Sequence, residues 1–572
     1  MESIEVITLL KNLLKRIETH ADGTRHLSDV LTDDELDALK TAITQLSNHG
    51  PASGVFPPAE PVEVPAFPVP QTLQKQISQV SSKPLPKVHL NLSALNSPEP
   101  PKNIRLCLDF GTATSKVTLV NDNDETDSEE IHVLHLGVPG DQEEISEVML
   151  ISSVYIDNAG MLWFGKAAMD RSMVEGGDGS RQRLDNIKRR LSEDGWDEQV
   201  GTLSNPTGLS ITNGDMVLAY LTYLTWAVNH CLSDLSYPSN LLRRFAMPCL
   251  SAEKGRETVH RLRKLIGEAK VLADTFDSEF KDGIPLGNFV AAVHELRQVA
   301  RIYPFVGEDI TEPLGVAGSM LSWKNRVDLL IMVVDIGAGT SDLSLYRILF
   351  DPATGENTAI EIEGSSRGLT EAGNYLDRLL IELIIKKSRI TSDDPVWVNV
   401  RSALELQIRD FKETLFNDQS VLALLMNGIE VNIKLDEFLQ MDQVRGFGEN
   451  LRSKMVEVLE SIDPSWVGWI KANPTRNLVV ALTGGGSALP MVKSLAEGKI
   501  VVNGSDVSVA RALPLPDWLR KIDENLEVDY PRIAVSLGGA RRRLIQRGKS
   551  AHITAGDVAA PPKLGGYYQK GS

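Results

Sequence analysis

Residues 329–348 read LLIMVVDIGAGTSDLSLYRI, and this stretch decides the fold. An unbroken apolar run rich in β-branched residues, ending at Asp335, predicts a buried strand. Gly337, Ala338 and Gly339 then make a turn without bulk, Thr340 adds a hydroxyl, and a second strand begins near Leu343. In such a turn the backbone can approach a phosphate closely, while a carboxylate at the strand end can hold a cation.

The same device occurs upstream. Residues 105–120, RLCLDFGTATSKVTLV, put Asp109 at the end of a strand from Leu106, Gly111 in the turn, and a second strand from Lys116 to Val120. Gly111 permits close approach, and the amides and hydroxyls of Thr112, Thr114 and Ser115, with Ala113 among them, offer donors to phosphate oxygens. One such hairpin is more often only a turn. Two, each with an acid at the strand end, would face each other across a polyphosphate and its metal.

A third glycine turn lies in residues 477–495, NLVVALTGGGSALPMVKSL, where Gly484, Gly485, Gly486 and Ser487 follow a strand and Pro490 opens a helix. Strand, glycines and helix start in that order bring backbone to a ligand. The chain has no GxxxxGK[ST] and no complete GxGxxG, which excludes a P-loop and a dinucleotide fingerprint.

Around these motifs, strand and helix patterns alternate from about Ile104 to Leu544, as expected of an α/β architecture. The 572 residues exceed what one core accommodates, so two lobes with appendages are expected. A net charge of −18 disfavours a nucleic-acid partner. Cys107, Cys231 and Cys249 have no metal-ligand spacing and suit a reducing cytoplasm. The longest apolar stretch, Met216 to Leu232, contains Asn229 and His230 and falls short of the roughly 20 residues of a membrane span, so it reads as a buried helix.

The appendages are read from periodicity and composition. Apolar residues from Ile7 to Ile17, stopped by Gly23, and a second run from Thr32 to Leu46 predict a helical arm over 1–50. Twelve of the 29 prolines fall between Pro51 and Pro101, which excludes helix and marks 51–102 as an extended linker, either a spacer or a docking segment. The acidic run NDNDETDSEE, 121–130, reads as a solvated loop, and the segment from Arg541, with 549–572 as its low-complexity end, reads as a disordered tail.

DFGTATSK, DIGAGTSD and LTGGGSALP resemble, in order and separation, the two phosphate motifs and the adenosine motif of the actin-like ATPase superfamily, which includes actin, sugar kinases and DnaK-type heat-shock chaperones. ITEPLGVAGSML (310–321) and YPRIAVSLGGA (530–540) resemble its two connecting helices, whose small residues allow close packing at an interlobe hinge. The chaperone branch is nearest. RRFAMPCLS resembles the strand before the first connecting helix, LDNIKRRL the stretch with the hinge-region lysine, and GLTEAGNYLDRLL, with Gly373, the helix start after the second hairpin.

The resemblance implies two lobes, 103–325 and 326–548, around a cleft for ATP or ADP with Mg²⁺. By the same resemblance Asp109 and Asp335 serve the metal, Lys188 is catalytic, Glu312 places the attacking water, Thr340 lies near the γ-phosphate, and Lys412 in IRDFKETLF contacts the adenosine. Departures from the pattern are Ala338 for a glycine, Ala488 for an arginine that stacks on the base, and Arg409 for a glutamate at the nucleoside. Nothing in the chain resembles the chaperones' peptide-binding domain. The function implied is a slowly hydrolysing, nucleotide-controlled switch for a protein partner, away from nucleic acid and membrane. An actin-like filament would share all three motifs, as would a small-molecule kinase, for which no acceptor base is apparent.

Overall fold

The structure is a computed structural model that describes residues 17–19, 25–27, 85–123, 128–137, 147–191, 195–248, 252–322, 324–354, 356–473, 476–544 and 546–547. The chain divides into two compact units, Met1–Ser81 and Ser82–Ser572. In the first, Ile17–Thr19 pairs antiparallel with Arg25–Leu27. Ile17 is therefore a strand residue and not the end of a helix. Ile17 and Thr19 are β-branched, and the Asp22-Gly23 pair between the strands is a hairpin signal. The remainder of the two expected helices lies outside the described residues, as does the tail over 549–572.

The second unit is mixed α/β and holds the same sheet topology twice. Sheet one contains β1 (Ile104–Asp109), β2 (Thr114–Asn123), β3 (Ser128–Val133), β4 (Leu242–Met247) and β5 (Val306–Thr311). Its order is β5-β4-β1-β2-β3, with β1, β2 and β3 antiparallel to their neighbours in turn and β1, β4 and β5 parallel. Sheet two contains β6 (Val327–Ile336), β7 (Ser341–Asp351), β8 (Glu356–Glu361), β9 (Leu478–Thr483) and β10 (Ser505–Arg511). It runs β10-β9-β6-β7-β8 with the same senses. Each glycine hairpin of the sequence is thus the central antiparallel pair of its own sheet.

Strand alternation sends opposite faces of each sheet to different cores. Leu106 and Leu108 of β1 join the core built with helices α1 (Asn213–Asp234), α2 (Ala252–Thr275) and α3 (Leu286–Arg297). In β6, Leu330, Met332 and Val334 face a second core with helices that follow β8. The other faces, with Cys107, Ile331 and Val333, meet a third core filled by α4 (Glu312–Met320) and a helix near the end of the described chain, Tyr530–Ala540. Helix α1 is the expected buried apolar helix, opened by a capping box in which Thr212 and Asp215 satisfy each other's backbone N–H. Among the described residues no helix is long and apolar enough to cross a membrane.

Helices α5 (Gly373–Ser388), α6 (Trp397–Asp418) and α7 (Asp442–Ser461) cover sheet two, and Tyr530–Ala540 is α8. Both α4 and α8 are short and rich in small residues, and they cross backbone to backbone. A Cβ on Gly538 would lie 1.8 Å from the Gly315 carbonyl oxygen, and one on Gly315 would lie 2.7 Å from that of Val535. Ser319 and Tyr530 share a hydrogen bond of 2.8 Å or less across the crossing, at 2.7 Å. Helix α8 follows sheet two in sequence but packs on sheet one, where Ser536 bonds Thr118 of β2 at 2.8 Å.

Four boundaries read from sequence shift. Val88, Leu90, Leu92 and Leu95, inside the expected linker, pack on the first core, and the Asn91 amide donates to Thr275 at 3.0 Å. Apolar alternation there outweighs the prolines on either side. The two ends of the acidic run are strand: Asn121–Asn123 ends β2 and Ser128–Glu130 begins β3, while 124–127 lie outside the described residues. Two of its acids are partners of buried arginines, Asp122 with Arg105 at 2.7 Å and Glu129 with Arg541 at 2.6 Å. Arg541 is accordingly not tail but a side chain 2% exposed, donating also to the Leu321 carbonyl at the end of α4. Finally, RRFAMPCLS supplies β4, whereas the strand that runs directly into α4 is β5.

Candidate functional site

Asp109 closes β1 and stands opposite Lys116 of β2, while Asp335 on β6 stands opposite Asp342 of β7. In both hairpins the acid is paired across the ladder with the residue seven positions later. Lys116 Nζ lies 3.9 Å from Asp109 Oδ2. Thr340 donates to Asp342 at 2.8 Å, which fixes the second turn from inside. The Gly337 amide donates to the Thr340 carbonyl at 2.9 Å and closes that turn.

Lys188 sits in a short 3₁₀ turn, Ile187–Leu191, and is not on a solvated face: it is ion-paired with Glu312 in the first turn of α4, and both side chains are 14% exposed. Burial opposes the Lys188 charge, yet the carboxylates of Glu312, Asp109 and Asp335 overcome that cost and hold its pKa above the ordinary lysine value. Their effect on one ammonium places all four groups in one electrostatic cluster. Burial likewise raises the Asp109 carboxyl, with Lys116 and Lys188 pulling it back. Asp335 is pushed up to about 8 by burial and then by Glu312, Asp342 and Asp109, against Lys188. Asp342 is pushed up to about 6, by burial first, with the Thr340 hydroxyl opposing and Glu312 adding. The cluster is short of positive charge.

The turns converge on it. A Cβ on Gly339 would lie 3.1 Å from Arg189 Cδ and 3.6 Å from Thr112 Cγ2, so the first and second turns approach each other beside Lys188. Gly484, at φ +81, lies against Asp335, where a Cβ would stand 2.4 Å from the carboxylate; Gly486 lies against Ile336. The amides of Gly373 and Asn374, opening α5, donate to the carbonyls of Gly337 at 3.1 Å and Ala338 at 2.8 Å. Gly484→Ala should therefore cost stability, because at a φ of +81 its Cβ would also stand 2.4 Å from the Ile336 carbonyl oxygen, and should lower ligand affinity of the folded fraction by about tenfold or more. Thermal unfolding beside titration with Mg-ATP checks this, and unchanged affinity would count against it.

Some assignments move. Ser115 was expected to face a phosphate, but it is wholly buried behind the turn, because strand alternation sends it away from the face that carries Lys116 and Asp109. The Thr114 hydroxyl points to Met149 Sδ at 3.7 Å, and the Ala113 carbonyl accepts from the Ser152 amide at 2.8 Å. Lys412 is held by Asp377 at 2.6 Å and by the Gly373 carbonyl at 3.2 Å, so it braces the start of α5. Gly485 and Ser487 form the 3₁₀ turn Gly485–Ala488, with Ser487 buried and Ala488 exposed. Arg409 helps to hold the Asp185 carboxyl low, after Arg183, which overcome its burial together. Arg183 in turn donates to the Leu406 carbonyl of α6 at 3.2 Å, and Asn399 of α6 to the Asp178 carbonyl at 2.6 Å. These bonds tie the segment before Lys188 to the helix that bears Lys412.

Compared with known proteins, the chain matches no family model, and no curated protein matches it.

Lys116 and Asp342 were not singled out from sequence. The hairpin register was the signal: a residue directly opposite a strand-end acid shares its face. Among the described residues no group of three His, Cys, Asp or Glu side chains is placed to hold a metal ion by itself. Mg²⁺ commonly keeps several waters and needs only one or two carboxylates, so the pair Asp109 and Asp335 suits it through water. Burial is the first cause of the rise at both carboxyls, with Glu312 adding at each and Asp109 adding at Asp335, and carboxylates held out of water in this way suit a divalent cation that would offset their charge.

Proposed function

We propose that this chain binds Mg-ATP between two lobes of an actin-like ATPase fold, hydrolyses it slowly, and so controls its hold on a protein partner, in the manner of the DnaK-type chaperones it resembles. One observation carries the reading: three glycine turns from separate parts of the chain meet around Asp109, Asp335, Lys188 and Glu312. The duplicated sheet topology, with each hairpin central in its own sheet, supports it.

Asp109 and Asp335 would hold Mg²⁺ through its waters, and the bound metal offsets charge on the phosphates. The turn amides near Thr112 and Gly339 receive phosphate oxygens, and Lys188 faces the charge that develops on the γ-phosphoryl group. Glu312 orients a water for in-line attack; the water oxygen bonds to the γ-phosphorus as the bond to the β–γ bridging oxygen breaks, the bridging oxygen keeps the electron pair and leaves as ADP, and the water's proton passes to the phosphate formed. The crossing of α4 and α8 is where the lobes turn, so a partner that binds one lobe angle better is coupled to the nucleotide.

Calorimetry with Mg-ATP on wild type and Asp335→Asn tests the proposal. Wild type is expected to give a saturable heat that chelation of Mg²⁺ weakens, and the variant to bind at least about tenfold more weakly. A folded wild-type chain that gives no heat defeats it.

A further inference from the structure

We propose that Tyr220 is a positioning residue for the first phosphate turn: its phenol bridges Ser115 and Ser152, and these two serines hold the amide and the carbonyl of Gly111. The inference rests on the reading of that turn as a phosphate site.

All three hydroxyls are out of water, with Tyr220 and Ser115 at 0% and Ser152 at 1% exposure. Tyr220 OH lies 3.0 Å from each serine oxygen. The Gly111 amide donates to Ser115 Oγ at 3.3 Å, and Ser152 Oγ donates to the Gly111 carbonyl at 2.9 Å. The phenol donates to Ser115, the Ser115 hydroxyl can donate to Ser152 at 3.3 Å, and the one Ser152 proton is shared between the Gly111 carbonyl and the phenol oxygen. Every proton then has an acceptor. Burial pushes the phenol well above its ordinary pKa, so it remains a donor.

This arrangement sets the sense of the turn. The carbonyls of Gly111 and Ala113 are taken from behind the turn by Ser152 Oγ and the Ser152 amide, at 2.9 and 2.8 Å, while that of Thr114 accepts from Lys116 Nζ at 3.1 Å on the side of Asp109. A carbonyl swung toward the phosphate would repel it, and the Ser152 bonds keep those of Gly111 and Ala113 turned away. Phe110, between Asp109 and Gly111, stacks on the Tyr220 ring with centroids 5.5 Å apart. One buried tyrosine thus reaches both the residue beside the site's first acid and the bonds of its turn. A phenylalanine would fill the same space in α1 without a polar atom that must be satisfied, so the hydroxyl serves the turn and not the packing.

Tyr220→Phe in the full chain is the test, with Ser152→Ala as the second variant should the first fold poorly. Hydrogen exchange of peptides covering 106–116 and calorimetry with Mg-ATP and with adenosine are measured together. The expected result is faster exchange confined to this turn and Mg-ATP affinity down about tenfold, or about 1.4 kcal/mol, with adenosine affinity and thermal midpoint nearly unchanged. A loss shared equally by adenosine and Mg-ATP would make the role one of general packing and overturn the proposal. So would a folded variant with wild-type exchange and wild-type affinity. If wild type binds no Mg-ATP, the functional reading fails separately, and exchange alone then judges the brace, unchanged rates overturning it.

Discussion

Lys188→Ala is expected to slow single-turnover ATP hydrolysis by about 10²-fold or more, roughly 3 kcal/mol of transition-state stabilisation, while Mg-ATP affinity changes by less than about tenfold. The ammonium is held charged against burial by Glu312, Asp109 and Asp335. It is therefore positioned and protonated before any substrate arrives, which is the condition for electrostatic preorganisation. Removing it also leaves Glu312 without its ion-pair partner, so the group proposed to place the water loses its anchor together with the charge. Glu312→Gln should slow the reaction in the same assay, and the double variant should cost less than the sum, since the two act as a unit. Wild-type rates in a folded Lys188→Ala variant would remove the lysine from the mechanism.

Gly538→Val should have the largest effect on the fold. Even a single Cβ would stand 1.8 Å from the Gly315 carbonyl oxygen and 2.8 Å from the Ser319 amide nitrogen, all of it backbone, so no side chain can yield. The helices must separate, and the third core with Cys107, Ile331 and Val333 loses contact along the crossing. A cost of about 3 kcal/mol or more is expected, seen as a lower thermal midpoint and reduced soluble yield. Gly446→Ala is the control, because a Cβ there meets nothing within 4 Å, and it should behave as wild type. A Gly538→Val protein with a wild-type midpoint would mean that α4 and α8 do not cross this closely.

Much of this was legible because the relevant signals are local. A buried strand, a strand-end acid and a glycine turn occupy consecutive residues, so both hairpins and the third turn could be read directly, whereas the two small-residue helices came from resemblance. Lys188 and Glu312 are 124 residues apart and meet only in three dimensions; resemblance, not spacing, brought them forward. What escaped depended on register and on distant partners. The orientation of Ser115 follows from alternation relative to Lys116, which stands opposite Asp109, and Asp122 and Glu129 look like surface charge until Arg105 and Arg541 are placed beside them. A periodic run also misled: Ile17 fits a helical stripe, but its strand pairing is set by residues across the turn.

The packing of α8 on sheet one bears on how the chain is made. Gly539 abuts Cys107, where a Cβ would stand 2.3 Å from the sulfur, and the bond from Arg541 to Glu129 spans 412 residues. Synthesis proceeds from the N-terminus, so β1 and β2 leave the ribosome long before the helix that covers their inner face. Until residues 530–541 emerge, Cys107 and Val120 have no lid and the Glu129 carboxylate has no arginine. Such long-range closure slows folding and leaves an apolar sheet face open to wrong contacts in the meantime. A nascent chain halted short of α8 should be the species that a cell's own folding helpers hold longest.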